Sequence, residues 1–446
     1  MRIIEISVEG LFGTFNHNIP FNFEDRITII HGPNGFGKTA TLRLINGIFN
    51  SKDKAVKTIP FKNFSIRFED KSVLNVEKKI DEEKNQIEII YTLTNPTSKE
   101  ESITNVIPIN EDLIIPHLSY TKENIANLNI EIWKKMYANQ LTLWNDLSEE
   151  KKPTWLDNLR KKTNIYFIKT ERLQIVREHR RKVENTTTNA PSVQYSVSKN
   201  SKDLEEKIKE VTNEYATLSQ SLDSSFPIRL VRAKDLSTSS EKEIKNRLEE
   251  IEKKREELIS VGLLEREKTS EFSNSSVEDI NESNKTALSL YADDTAKKLS
   301  VFDELAEKIE LFKNIINNRF QYKQVFISKD SGIKFETNSG ESLSLESLSS
   351  GEQHELVLFY EFLFKVTPNS LVLIDEPEIS LHVAWQNHFL RDLKDVTENA
   401  KFDVLLATHS PQIIADRWDL TVELKGKENS INFNGNGKRK LTKAKV

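Results

Sequence analysis

The chain has 446 residues, 37% hydrophobic and 30% charged, with a formal net charge of -5 and a pI near 6.0, a globular but polar make-up too long for one ordinary domain. The lack of cysteine excludes disulfides, thiolate zinc sites and cysteine nucleophiles and fits a reducing compartment. The mild acidity confines any nucleic-acid binding to a local patch.

No apolar run reaches the length of a membrane span, and Met1 to Glu9 alternates like a strand instead of reading as a signal peptide, so a cytoplasmic protein is expected. A turn at Gly10 to Phe15 follows, in which Phe12 and Phe15 either stack on a nucleotide base or simply pack. The next stretch, Ile27-Thr28-Ile29-Ile30-His31-Gly32-Pro33-Asn34-Gly35-Phe36-Gly37-Lys38-Thr39, reads as a strand, a glycine-rich turn and the start of a helix that runs through Leu44 and Ile48. Gly32, Gly35 and Gly37 let successive backbone N–H groups point into one concavity, and the helix adds its N-terminal dipole to the same anion site. Lys38 can then reach the β- and γ-phosphates and the Thr39 hydroxyl can ligate Mg²⁺.

Short alternating runs at Phe64–Phe68, Val73–Val76 and Ile87–Tyr91, separated by charged turns, predict an antiparallel β element beside this nucleotide core. Asn124 to Leu147 turns helical, with Trp133, Met136, Leu141 and Trp144 on one face. The strand Asn164–Ile168 leads into a basic cluster of Arg177, His179, Arg180, Arg181 and Lys182, which is either a solvated or ion-paired face or a contact for nucleic-acid phosphates. The Ser/Thr/Asn-rich stretch Glu184–Lys202 reads as a loop. Beyond it, Leu204–Leu222 and Glu241–Leu264 are helical, separated by a break at Phe226-Pro227-Ile228. Ala287–Phe320 reads as a single further helix. Together these suggest a helical, partly coiled-coil insertion whose lack of Cys-x-x-Cys rules out a zinc-linked tip.

Strands return at Lys323–Ile327 and Gly332–Phe335. Leu348-Ser349-Ser350-Gly351-Glu352 then opens a helix whose N-terminus, with Ser349, forms a second anion site or an ordinary N-cap. Ser370–Ile374 is a wholly apolar strand ending in Asp375 and Glu376. Asp375 is placed to hold the Mg²⁺ hydration shell and Glu376 to orient and deprotonate an attacking water. A further apolar strand, Phe402–Thr408, ends at His409, where a γ-phosphate sensor would sit.

This set of motifs resembles the ABC-type ATPase heads of the SMC, RecF and OLD group. Gly32–Thr39 is similar to the Walker A loop, Leu348–Glu352 to the signature motif, Leu371–Glu376 to Walker B, Ile379-Ser380-Leu381-His382 to the D-loop and His409 to the switch histidine, while Glu171 or Gln174 stands where a Q-loop glutamine belongs. The resemblance implies a mixed α/β ATPase head with an antiparallel β subdomain. Residues 1–183 and 321–424 would form its two parts, 184–320 a loop plus helical insertion, and 425–446 a basic flexible tail. It implies ATP and Mg²⁺ as cofactors. Asn34, Gly35, Gly37, Lys38, Thr39, Ser349 and Gly351 would bind nucleotide, Thr39 and Asp375 the metal, and Glu376, His409 and Lys38 would be catalytic.

The resemblance also implies a head-to-tail homodimer or larger assembly, because a signature motif closes the nucleotide of a second copy. The tail leaves no room for the Toprim nuclease of OLD proteins. A lone head of this kind resembles the Septu-type ATPases of bacterial antiphage defence, whose separately encoded partner is an HNH nuclease. A RecF- or SMC-like repair ATPase that clamps DNA is the alternative.

Overall fold

The computed structural model describes residues 1–50, 54–81, 86–95, 101–108, 154–168, 174–183, 186–232, 240–266, 282–379 and 381–426. The helix expected at Asn124–Leu147, Glu171, Ser380 of the D-loop-like run and the tail beyond 426 lie outside the described residues. The chain divides into two units, one drawn from 1–167, 369–376 and 403–446, the other from 168–368 and 377–402.

The strands, in chain order, are β1 (Ile3–Leu11), β2 (Phe15–Pro20), β3 (Ile27–His31), β4 (Asn63–Phe68), β5 (Val73–Asp81), β6 (Gln86–Thr94), β7 (Glu101–Pro108) and β8 (Ile165–Ile168). After them come β9 (Gln174–Val183), β10 (Thr186–Tyr195), β11 (Lys323–Ser328), β12 (Gly332–Thr337), β13 (Ser342–Leu343), β14 (Leu371–Asp375), β15 (Asp403–Ala407) and β16 (Thr421–Glu423).

The first unit holds two sheets. One has the order β2-β1-β4-β5-β6-β7, with every neighbouring pair antiparallel. The other has the order β16-β3-β15-β14-β8, with β14, β15, β3 and β16 parallel. The difference follows from the side chains. β14 and β15 are buried at every position, as strands covered on both faces must be, whereas β2 and β4 alternate. One apolar core joins Ile6, Val8, Phe64, Ile66 and Leu74 of the antiparallel sheet, Leu44, Ile45 and Ile48 of the helix Lys38–Phe49, and Ile30, Leu373 and Leu405 of the parallel sheet. Arg2 makes a two-pronged contact with Asp403 at the start of β15, at 2.8 and 2.7 Å.

In the second unit three expectations are corrected. The described part of the stretch Glu184–Lys202, from Thr186 on, is not a loop. Residues Thr186–Tyr195 form β10, paired along their length with β9, which carries the basic cluster, and Ser196 begins a helix that runs to Arg232. The β-branched run Thr186-Thr187-Thr188 suits a ladder better than composition alone suggests. That helix also passes through Pro227 instead of breaking there. The Arg229 guanidinium donates to the Leu222 carbonyl at 2.8 Å and grips the buried Asp294 at 2.6 Å, adding side-chain contacts next to the turn that lacks the proline N–H. The run Ala287–Phe320 is two helices, Glu282–Ser300 and Asp303–Arg319, the second opening with the acidic pair Asp303 and Glu304 that favours a fresh N-terminus.

The helix Glu241–Ser260 forms as expected, under a Ser240/Glu243 capping box, with Ile244, Ile251 and Leu258 buried. Among the described residues no helix is long and apolar enough to cross a membrane.

Lys78 of β5 donates to the carbonyls of Val56, Lys57 and Ile59 at 3.3, 2.5 and 3.1 Å, closing the C-terminal end of the short helix Lys54–Thr58. Burial pushes its pKa down to about 8. Between that value and the ordinary lysine range the unfolded chain binds a proton that the folded chain has released, so this group's contribution to stability rises with pH across that window. Urea unfolding at pH 7.5 and pH 10 should find wild type gaining about 2 kcal/mol relative to Lys78→Met over that interval.

Candidate functional site

The site is built in the first unit, where β3 runs into the glycine loop. Gly35 and Gly37 have φ of 87° and 91°, a left-handed backbone that L side chains resist. Gly37 is bare for a second reason, since a Cβ there would lie 2.3 Å from Leu11 Cδ2. At Gly32 a Cβ would meet the Leu424 carbonyl at 2.9 Å.

The helix Lys38–Phe49 starts immediately after Gly37. Lys38 is buried, and its ammonium donates to the carbonyls of Gly32 and Pro33 at 2.7 and 3.1 Å. It also lies 3.3 Å from His409 Nδ1. An ammonium has no lone pair, so Nδ1 must accept and the neutral imidazole carries its proton on Nε2. That Nε2 faces Glu376 Oε1 at 3.7 Å.

Thr39 Oγ1 donates to Asp375 Oδ1 at 3.0 Å, which brings together the two expected metal ligands from residues 336 apart in sequence. Glu376, the next residue, has φ of 46°, and its N–H donates to the Ala407 carbonyl at 2.8 Å. Such backbone strain, of order 1–2 kcal/mol, is found where a side chain must be aimed. At the end of β14, Asp375 is buried against Thr39 while Glu376 is half-exposed beside His409. Asn34 and Gly35 are exposed on the loop.

The loop fits a nucleotide's phosphates: its glycines admit no side chain, its lysine is fixed, and the helix N-terminus supplies oriented amides. Among the described residues no group of three or more His, Asp or Glu could hold a metal unaided. The donor set of one hydroxyl and one carboxylate is the kind Mg²⁺ takes when phosphate oxygens complete its shell.

Ser349 and Gly351 belong to the second unit. Ser349 caps the helix Ser350–Tyr360 in a box with Glu352, whose backbone N–H donates to Ser349 Oγ at 3.4 Å while Glu352 Oε2 accepts from Ser349 N at 2.9 Å. Burial would raise the Glu352 pKa, but hydrogen bonds from Lys323 and Ser349 outweigh it and hold the carboxyl below its ordinary value. Gly351 has an ordinary helical backbone, and a Cβ there would come no nearer than 3.9 Å, to Trp385. Among the described residues of its own unit, nothing requires a glycine. His382 of the D-loop-like run caps the helix Val383–Ala400, its Nδ1 accepting from Ala384 N at 3.3 Å. Gln174 is the first residue of β9.

Phe12 takes a left-handed turn, and its ring would touch a Cβ at Gly37 at 3.6 Å, while Phe15 packs on Phe36 at 5.0 Å. Both therefore pack against the loop. One residue escaped the sequence reading: His17 of β2, buried, donates through Nε2 to the Phe36 carbonyl at 2.7 Å. On an alternating strand it is indistinguishable from a core histidine.

A left-handed glycine loop between a parallel strand and a helix, with a hydroxyl and a carboxylate paired beside it, defines a P-loop nucleotide-binding protein. A family model described as an AAA ATPase domain (AAA_15) matches residues 1–414, and the chain belongs to that family.

Among curated proteins it is similar to the retron Ec83 probable ATPase of Escherichia coli, 36% identical over 83 residues (16% of this chain, 15% of that protein). It is also similar to a probable iron chelatin transport ATP-binding protein of Helicobacter pylori, 35% identical over 103 residues (22% of this chain, 40% of that protein). The chain thus matches less than half the length of these relatives. Among solved structures it is similar to the SMC head domain from Thermotoga maritima, with a TM-score of 0.33 and 13% identity, covering 93% of this chain and 91% of that one.

The two glycines should respond oppositely to alanine. Gly37→Ala should lower stability by about 2 kcal/mol through its φ and the Leu11 clash. Gly351→Ala should leave it unchanged or raise it by up to about 1 kcal/mol through helix propensity. Thermal unfolding of the two variants reads both.

Proposed function

We propose that the chain binds ATP with Mg²⁺ and hydrolyses it, and that two copies act head to tail. The observation that carries the reading is the convergence of Lys38, Thr39, Asp375, Glu376 and His409 around one glycine loop.

Asn34, Gly35, Gly37, Lys38 and Thr39 hold the phosphates. Thr39 and Asp375 would hold the metal, whose chemistry would be to neutralise phosphate charge. Glu376 accepts the proton of the attacking water, and its half-exposed carboxylate lies where solvent can reach it. His409 Nε2–H points to the same place and can report or stabilise the terminal phosphate. The bareness of Gly351, which its own unit does not need, supports a role for Ser349 and Gly351 against the nucleotide of a second copy.

At the level of the cell we propose a cytoplasmic ATPase subunit of a two-component antiphage defence complex of the Septu kind, an oligomeric scaffold that regulates a separately encoded nuclease such as an HNH nuclease. The stretch shared with a retron ATPase supports this. A RecF- or SMC-like role with DNA as partner is the reading it competes with. The domain division drawn from the sequence, 1–183 and 321–424 for the head and 184–320 for the insertion, goes with this proposal.

Glu376→Gln should cut ATP turnover by about 10²-fold or more while leaving nucleotide binding intact. Gly351→Ala should likewise lose turnover despite its unimpaired stability, because it blocks approach from the second copy. Phosphate release together with equilibrium binding of a fluorescent ATP analogue tests both; a fully active Gly351→Ala would remove the head-to-tail arrangement. Mass photometry of the protein co-expressed with its neighbouring gene, with and without ATP, separates an ATP-responsive complex with a nuclease from a free dimer that closes on DNA.

A further inference from the structure

His17 has no part in the motifs, yet it touches the loop at its apex. Its Nε2 donates to the Phe36 carbonyl at 2.7 Å from a ring only 6% exposed. Phe36 sits between the two left-handed glycines, Gly35 and Gly37. The chain has no cis peptide among the described residues. In a trans peptide the C=O and the following N–H point in opposite directions. Fixing the Phe36 carbonyl toward His17 therefore fixes the Gly37 N–H on the side of the peptide facing away from His17.

Glycine at position 37, whose φ is free, would otherwise make that peptide easier to rotate, and a flipped peptide would present a carbonyl to an anion. The side chain of Phe36 is held as well, by Phe15 at 5.0 Å and by the bare Gly426, where a Cβ would lie 2.7 Å from the ring. The His17 ring is stacked on Phe15 at 5.8 Å, so its donor is itself aimed by packing. Burial lowers the His17 pKa, and Nε2 carries its proton in the cation as well as in this neutral tautomer, so the contact does not depend on the charge of the ring.

We propose that His17 is a positioning residue for nucleotide binding: it locks the Phe36–Gly37 peptide so that the Gly37 N–H is pre-aimed at a phosphate. The inference rests on the nucleotide-binding reading of the loop.

Two variants test it. His17→Phe keeps a ring of similar shape on Phe15 but removes the donor, and His17→Gln restores an N–H at similar reach. Four readouts are taken for each: hydrogen exchange of residues 31–40 in the nucleotide-free protein, equilibrium binding of a non-hydrolysable ATP analogue, the KM and kcat of ATP turnover, and the thermal midpoint.

His17→Phe should exchange faster in the loop alone, bind the analogue about tenfold more weakly and raise KM with kcat little changed, with the thermal midpoint close to wild type. His17→Gln should recover most of the loss. Unchanged loop exchange in His17→Phe, a rise in exchange spread over the whole chain, or failure of His17→Gln to recover binding overturns the proposal. Lys38→Ala is the control for the underlying reading. If wild type and Lys38→Ala bind the analogue equally poorly, the nucleotide assignment fails, while loop exchange still decides whether His17 fixes the peptide.

Discussion

A buried ammonium must be surrounded by acceptors, and Lys38, 4% exposed, finds them in the carbonyls of Gly32 and Pro33 and in His409 Nδ1. That requirement organises the first unit. The loop must curl far enough for its carbonyls to reach the lysine, which forces glycine at Gly35 and Gly37. β3 and β15 must be neighbours so that the residues after them converge, and the parallel pairing Ala407↔Ile30 sets that register. The same neighbourhood fixes the imidazole tautomer and so turns Nε2–H toward Glu376. The cradle and the water-activating end are thus one electrostatic arrangement.

The parts of the molecule legible in the sequence are those where one local rule decides. The glycine loop, the buried strands ending at Asp375 and Ala407, and the alternating β4 and β5 follow from spacing and periodicity, and they are where the sequence places them. The parts that were not legible depend on distant partners. Helix Ser196–Arg232 continues through Pro227, and two residues on Arg229 is anchored on Asp294, 65 residues away. The Ser/Thr-rich β10 is a strand because β9 lies beside it, whatever its composition suggests. The left-handed Glu376 has no signature, since glutamate carries no hint of φ. His17 reads as core because the carbonyl it serves belongs to a loop 19 residues on.

The second unit has a comparable but internal constraint. Arg319 lies in the helix Asp303–Arg319 and pairs with Glu355 of the signature-like helix and Asp392 of the helix Val383–Ala400, all three buried, with its guanidinium 4.9 Å over the Phe359 ring. Charges so deeply placed are tolerated only when each is matched, so the three helices are held in one mutual arrangement. Tyr360 and Lys365, at and just beyond the end of the signature-like helix, bond Asp203 and Asn200 at 2.6 and 2.7 Å, which ties the first turns of helix Ser196–Arg232 to the same cluster. Whatever moves the signature-like helix must therefore move these partners with it or break buried polar contacts.

The left-handed Glu376 bears on how such a protein can change over generations. The position penalises every residue except glycine, and asparagine and aspartate least among the rest, so stability alone favours replacing the glutamate. Only selection for turnover opposes that drift. In a lineage that retained nucleotide binding but no longer needed hydrolysis, position 376 should be among the first in the site to become Gly or Asn, while Lys38 and Thr39 persist. A survey of relatives for that substitution would sort switches that merely bind from engines that cycle, using a trace left by backbone geometry.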